Sequence, residues 1–533
     1  MAAASGKHVV VVGGGLAGLA SAVELATNGA QVTLVEKNSH LGGKMNLLSE
    51  KGFTFDMGPT IITLPQVLRG IIRRSGRKVE DYIDLVNLDP QWRCHYEDGT
   101  VINLRQNPDR MARELDAQFA SAKPGAGYRS FVDYSRRMMR LSEKVFYYRD
   151  LGGVTDMMSK PPTEPGLLAD VLAMRMHSTV ARTINKHIDE PHLRQLCEHF
   201  LQYVGSSPFL APAILSLIAA AQIDHGCWYP MGGTRMVAQS LARIASEQGV
   251  QVLNGVGVSK VLHDGQRATG VQLEDGRTIN ADAVVSNCDV QRTYRDLIGG
   301  EIGLGEQRSI ADKYHPACSG VVLYLGLDRQ YSHLAHHNFL FSKNSHDEFE
   351  DIYGRGVPAK DPTLYLAVPS RTDPTQAPAG CEAFYVLVHT AYKRDGQQWD
   401  GPGGLHEQYR PIIIEKLKRF GMQDIEKHIV VDRFLNPAAI ERMYNAEGGA
   451  IYGLASHGKL AGGFKPRNRS RVLKGLYLAG GSANPGPGVP MVLMSGVTAG
   501  RACATDLGLL GSSDLDLGTG MEPDSKTLEL ASV

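Results

Sequence analysis

Four consecutive valines, Val9 to Val12, run straight into Gly13-x-Gly15-x-x-Gly18, and no other feature constrains this chain as tightly. A continuous β-branched run suits a strand covered on both faces. The glycines then predict a tight turn into a helix. Gly13 permits the turn, Gly15 lets an anion approach the backbone, and Gly18 allows close packing of helix on strand. "LASAVELATNG" carries the helical pattern and ends at Asn28-Gly29, a helix-stop signal. "QVTLVEK" reads as a second strand with Glu36 near its end. In this order the elements form a dinucleotide site. Leu16 and Ala17 open a helix whose free N–H groups meet a pyrophosphate, and Glu36, followed by Lys37, stands where a ribose is held. An acid at that position suits an unphosphorylated adenosine ribose, which FAD and NAD share.

The next segments separate the two. Gly42-Gly43-Lys44 offers two open amides and a cation to the diphosphate from its other side. "FTFDMGPT" reads as a strand closed by Gly58-Pro59-Thr60. A nicotinamide domain has no standard need for either. Far along the chain, "GLYLAGGSANPGPGVPMVLMSGVTAGRACATDL" reads as strand, turn and helix. Gly480, Gly481 and Ser482 follow the strand; Gly488, Val489, Pro490 and Met491 open the helix. Prolines and glycines make such a turn rigid and backbone-dominated, suited to holding a flat ring without charged side chains. The helix start offers N–H groups to the pyrimidine of a flavin, where negative charge collects on reduction.

A chain of 533 residues implies two or three domains. Lys+Arg and Asp+Glu balance at 56 each, which excludes a broad basic nucleic-acid surface. The seven cysteines are scattered without zinc or redox spacing and read as buried thiols of a reducing compartment. His333, His336 and His337 lack a completing carboxylate or cysteine, so no metal site is expected and they read as polar loop residues. "MAAASGKHVV" lacks the basic-then-apolar order of a signal peptide. The longest apolar stretch, Phe209 to Ala221, contains Pro and Ser and is too short to span a bilayer.

Textures alternate along the chain. Residues 1–106 carry the first FAD-binding segment and the start of a substrate domain; 107–224 are helical, with an apolar stretch suited to a tunnel wall or a membrane surface. Residues 225–300 and 465–510 return to α/β texture as the second and third FAD-binding segments. Residues 301–464 alternate apolar and polar residues, an antiparallel substrate-domain sheet against helices, and 511–533 read as a disordered tail. The expected fold is α/β: a split Rossmann-like FAD-binding domain with an inserted antiparallel-sheet substrate domain and a helical, membrane-facing subdomain.

The blocks "GGGLAGLA", "GGK", "FDMGPT", "YPMGG", "TDPTQAPAG", "NAEGGAIYGL", "FKPRNRS" and "PGPGVPMVLMSG" occur in this order from Val9 to Leu507. Together they resemble the bacterial and fungal type of phytoene desaturase, a family of carotenoid oxidoreductases within the flavin amine oxidase superfamily. The resemblance implies FAD, with the backbone of Val258 against the adenine. It implies desaturation of a long apolar polyene of phytoene or diapophytoene type by hydride transfer to flavin N5. It also implies a cytoplasmic protein attached peripherally to a membrane surface. With no second glycine fingerprint and no iron–sulfur cysteines, oxygen or a quinone is the expected electron acceptor. Asn484 stands where many members have His, Ser482 where many superfamily flavoproteins have an acid, and Lys44 where Arg is common. These departures leave open an end-group oxygenase, a saturase or an isomerase on the same fold. A non-enzymatic binding protein like the Rab GDP-dissociation inhibitors is a remote alternative, opposed by the intact glycine motifs. No catalytic acid or base is assigned; Glu447 and Arg371 read as solvated or salt-bridged.

Overall fold

The computed structural model describes residues 6–153, 156, 177–458 and 462–511. The tail expected to be disordered falls, from residue 512 onward, outside the described residues.

The valine run forms the middle strand, His8–Val12, of a five-stranded parallel sheet. Gln31–Glu36 and then Gln251–Asn254 lie on one side of it; Ala283–Ser286 and then Leu476–Leu478 lie on the other. One sheet therefore draws on three distant parts of the chain. Alternation along the strand divides the valines between two layers. Val9 and Val11 face a helical layer that includes Leu16–Thr27, Arg235–Glu247 and Val489–Asp506. Val10 and Val12 face a small antiparallel sheet of Val258–His263, Ala268–Leu273 and Thr278–Asn280.

The first and last helices touch backbone to backbone. A Cβ on Gly496 would lie 2.3 Å from the carbonyl oxygen of Ala17, and Ser21 Oγ donates to the Gly496 carbonyl at 2.9 Å. Both helices begin at the carboxyl edge of the parallel sheet, where such folds bind their ligands.

A second, seven-stranded sheet runs in the order Ile429–Leu435, Ser319–Leu327, Glu382–Thr390, Leu364–Ala367, His337–Leu340, Trp92–His95 and Val101–Leu104. It is antiparallel as expected, except that His337–Leu340 pairs in parallel with Trp92–His95. Ser319–Leu327 and Glu382–Thr390 are buried along their whole length. The helix Leu405–Arg419 covers one face. The other meets a layer built from Pro108–Gln118, Gly125–Val145, Val180–His187, Pro191–His199 and Leu217–His225.

Local chemistry starts these helices. Asn107 accepts from the N–H groups of Asp109 and Arg110 ahead of Pro108, and Thr179 accepts from Arg182. The apolar stretch from Phe209 is core: Ala211, Ala213, Ile214, Ala219 and Ala220 are buried, and Leu210 is exposed. Among the described residues no helix is long and apolar enough to cross a membrane. The histidines depart from expectation. His337 opens a central strand and His336 precedes it, both buried; only His333 is partly open. Their polar character suggests a loop, but the sheet buries them because it is covered on both sides.

Candidate functional site

The glycine motif earns its residue types from contacts a side chain would break. A Cβ on Gly18 would lie 2.0 Å from the Gly13 carbonyl oxygen, and one on Gly15 would lie 2.7 Å from Asn287 Oδ1. Gly13 has φ +94°, open to glycine at little cost. Gly14 donates its N–H to Glu36 Oε2 at 2.7 Å, and Asn38 donates twice to Glu36 Oε1 at 2.8 Å. The acid at the end of the second strand is thereby fixed over the turn.

Gly42 N–H donates to the Gly14 carbonyl at 2.8 Å, so the second glycine pair lies directly beside the first loop. A Cβ on Gly58 would lie 1.9 Å from the Lys44 carbonyl oxygen, bringing the Gly-Pro-Thr turn against the same segment. Lys44 Nζ donates to the carbonyls of Ala450 and Ile451 at 3.1 and 3.0 Å. Removal from water pulls its pKa down to about 8, against the opposing charge of Asp289.

The Pro/Gly turn is built by buried asparagines. Asn468 Nδ2 donates to the Leu478 and Asn484 carbonyls at 3.0 Å each. Asn484 Nδ2 donates to the Arg149 carbonyl at 2.5 Å and to Asn468 Oδ1 at 3.2 Å. Asn484 therefore shapes the turn from within. Ser482 Oγ accepts from Val290 N–H at 2.9 Å, tying this turn to the end of the Ala283–Ser286 strand.

These loops enclose one continuous cavity of about 390 Å³. Gly13, Gly15, Leu16, Ala17, Glu36, Lys37, Gly42, Gly43, Lys44, Gly58, Pro59, Thr60, Val258, Gly480, Gly481, Ser482, Gly488 and Val489 all line it. Gly18, Pro490 and Met491 lie behind the wall, where they set helix packing. The sequence reading missed Asn287, Cys288, Asp289 and Glu274, which also line it. Asn287 accepts from Gly18 N–H at 3.0 Å and donates to the Ala479 carbonyl at 3.1 Å, joining first and last segments. Its signal was available: a polar residue directly after a buried parallel strand points to the ligand edge.

Beyond the Pro/Gly turn the cavity continues into the seven-stranded sheet, between Trp92, Tyr203, Phe339, Tyr385 and Leu387. His199 and His389 also line it, and burial holds both down to about 3, so both imidazoles are neutral. His389 Nε2 and the Tyr452 hydroxyl lie 3.1 Å apart. Among the described residues the acids lining the cavity are Glu36, Glu274 and Asp289, which end or follow strands of the glycine-loop half of the fold. Glu447 and Arg371 are ion-paired, with Arg295 and Glu382 respectively.

The donor set fits FAD. The acid would serve the ribose, the two stacked glycine loops and the helix start would serve the diphosphate, and the backbone-rich turn at the second helix start would serve the flat ring. FAD held there would supply a two-electron acceptor.

Comparison with known proteins agrees. The profile of the family described as flavin containing amine oxidoreductase matches residues 16–504. A 4,4'-diapolycopene oxygenase of Methylomonas sp. is 36% identical over 492 residues, covering 92% of this chain and 96% of the relative. A 4,4'-diaponeurosporene oxygenase of Staphylococcus haemolyticus is 36% identical over 493 residues, with the same coverage. Among solved structures, an oxidoreductase from Methanosarcina mazei superposes with a TM-score of 0.59 at 17% identity, over 93% of this chain and 100% of that one. A putrescine oxidase double mutant superposes with a TM-score of 0.60 at 14% identity, over 94% and 99%. With a cradle shaped for the cofactor and a profile match across nearly the whole chain, this protein belongs to the flavin containing amine oxidoreductase family and is an FAD-dependent oxidoreductase.

Proposed function

We propose that this protein oxidises the end of a long apolar polyene of the diapocarotenoid class, replacing hydrogens of the end group by oxygen. The observation that carries this reading is the chamber beyond the Pro/Gly turn, walled largely by aromatic and aliphatic side chains, with no carboxylate among the described residues that line it. An ammonium substrate would meet ring faces there but no counter-charge to offset its desolvation, whereas a hydrocarbon chain gains about 25 cal/mol for each Å² buried. The names of the relatives favour oxygenation over the desaturation suggested by sequence blocks alone.

Desaturation on the same scaffold is the second reading, supported by the "PGPGVPMVLMSG" turn and the family it resembles. Oxygen or a quinone as terminal acceptor, and attachment to the membrane that holds such a substrate, belong to both readings.

The test presents 4,4'-diaponeurosporene and 4,4'-diapolycopene in lipid vesicles to the FAD-loaded protein, with product masses read. Replacement of two hydrogens by one oxygen supports the proposal. Loss of hydrogens in pairs without oxygen gain establishes the desaturase instead. No change in either polyene, with a small amine consumed, rejects both.

A further inference from the structure

Tyr365 lines the chamber beside Thr60 of the Gly-Pro-Thr turn, and both are buried. Thr60 Oγ1 and the Tyr365 hydroxyl lie 2.5 Å apart, and the Tyr365 hydroxyl is 2.9 Å from His337 Nδ1. The His336 ring stands 4.3 Å from the His337 ring, centroid to centroid. His336 Nδ1 is 2.7 Å from Thr372 Oγ1. Thr372 is only partly buried and follows the exposed Arg371. Five side chains thus lead from the chamber wall to the surface.

The path uses one of the tautomer assignments these distances allow. With the His337 N–H on Nε2, its Nδ1 accepts from Tyr365 and Thr60 donates to Tyr365. With the His336 N–H on Nδ1, His336 donates to Thr372 and its Nε2 is an acceptor. His336 Nε2, His337 Nε2 and the Tyr229 hydroxyl are buried without a protein partner, and the Tyr229 ring lies 4.7 Å from His336. Buried polar atoms of this kind are commonly met by ordered water, and the path needs one water between His337 Nε2 and His336 Nε2, with the Tyr229 hydroxyl as a further partner. That water would carry the step from His337 to His336.

Burial holds His336 down to about 3 and His337 well below its ordinary value. It also raises Tyr365 well above its own. None of the three therefore stores a charge. A neutral imidazole accepts a proton at one nitrogen as it releases one from the other, which is what a relay requires.

We propose that Thr60, Tyr365, His337, His336 and Thr372 form a proton path from the chamber to the surface, with Tyr365 receiving the proton that substrate oxidation releases. The proposal rests on the polyene-oxidation reading above. Water supplies the oxygen. A hydride would leave the terminal carbon for the FAD the cradle would hold, a C–O bond would form from that carbon to the water, and the water O–H would break to release a proton. A second hydride from the same carbon, with the proton of the new hydroxyl, would carry the alcohol to the aldehyde. Each released proton joins the Tyr365 oxygen as the Tyr365 O–H bond breaks toward His337 Nδ1. His337 releases its Nε2 proton to the bridging water. His336 takes a proton at Nε2 and gives up its Nδ1 proton past Thr372 to bulk solvent.

The test follows anaerobic flavin bleaching by 4,4'-diaponeurosporene in vesicles, using full-length FAD-loaded protein, Tyr365→Phe and His336→Ala. Polyene binding is read separately from the shift of its absorption band. Each variant is expected to keep its flavin spectrum and polyene affinity while bleaching slows by about 100-fold, the lower end for lost proton transfer. Imidazole added to His336→Ala is expected to restore the rate, with more basic imidazoles restoring more, which a merely structural role does not predict. Unchanged bleaching in both variants overturns the path. So does a loss that follows weakened polyene or FAD binding. If the wild-type protein oxidises no polyene, the functional reading itself has failed, and the path falls with it.

Discussion

Arg501 in the last helix donates from Nη1 to Glu24 Oε1 in the first at 2.6 Å, across 477 residues of chain. Both side chains are almost wholly buried, and Arg74 Nε reaches the second oxygen of Glu24 at 3.3 Å. The pair stands one helical turn and more beyond the contact of Gly496 with Ala17. It holds together the two helices whose starts, at Leu16 and Val489, line the cavity.

Removing Arg501 leaves the buried Glu24 with Arg74 alone, so the cost lies toward or below the lower end of the range for breaking a buried pair, about 3–5 kcal/mol. Arg501→Leu is therefore expected to lower the urea midpoint of the FAD-loaded protein strongly. Arg501→Leu combined with Glu24→Leu is expected to cost less than the sum of the single changes. Unfolding curves followed by tryptophan fluorescence and by flavin release give both values.

The glycines of the cradle divide by what a methyl group would strike. At Gly18 and Gly58 it would meet backbone oxygens at 2.0 and 1.9 Å. Gly18→Ala and Gly58→Ala are expected to yield protein that folds poorly or loses its yellow colour. Gly305, exposed in the helix Gly300–Ala311 with nothing within 4 Å of its Cβ position, is the contrast. Gly305→Ala is expected to retain FAD and gain about 0.4–1 kcal/mol. Flavin absorbance per protein, with melting temperature, separates the two classes.

Lys44 gives the flavin-free protein a pH signature. Its folded pKa of about 8 lies below the ordinary 10.5, so the folded state surrenders its proton first. Over this window the unfolded chain binds more protons, and stability rises with pH; below about pH 8 the burial penalty is fully present. Lys465, buried against the Ala455 carbonyl and Ser456 Oγ and lowered to about 7, acts in the same sense from a lower pH. Buried thiols raised above their ordinary value, Cys94, Cys197, Cys227, Cys288, Cys318 and Cys503, pull stability down in every variant alike once the pH passes about 9. The lysine contribution is therefore read as a difference: from about pH 7 to about pH 10 the urea midpoint of the wild type is expected to rise relative to that of Lys44→Met, and further relative to that of Lys44→Met combined with Lys465→Met.

Val322 sits on the fully buried strand Ser319–Leu327 and lines the chamber away from the glycine loops. Val322→Trp is expected to fill that space without touching the cradle. Flavin content should hold while polyene turnover falls by about tenfold or more, the scale of 1.4 kcal/mol lost from binding. Retained FAD absorbance with lost polyene binding is the outcome to look for.

The nucleotide end was legible in the sequence residue by residue. Close backbone approach demands glycine at Gly13, Gly15 and Gly18, and a strand end demands its acid at Glu36, so local geometry dictates residue type within one short segment. The Pro/Gly turn was legible for the same reason. Asn287 was overlooked because its partners, Gly18 N–H and the Ala479 carbonyl, lie in two other segments. His336 and His337 read as loop residues because nothing in their neighbours announces that helical layers cover both faces of their sheet.

By itself the sequence determined the local pieces: the buried valine strand, the glycine turns, the two helix starts and, through them, the cofactor. These follow from φ/ψ preference and short-range packing, which act over a few residues. Only the tertiary structure decided what lines the chamber beyond the glycine loops. Strands from residues 8–36, 251–286 and 476–478 join in one sheet, and Trp92, Tyr365, His389 and Tyr452 reach the chamber from separate elements. Their juxtaposition depends on long-range burial, a property of the whole chain and of no single stretch of it.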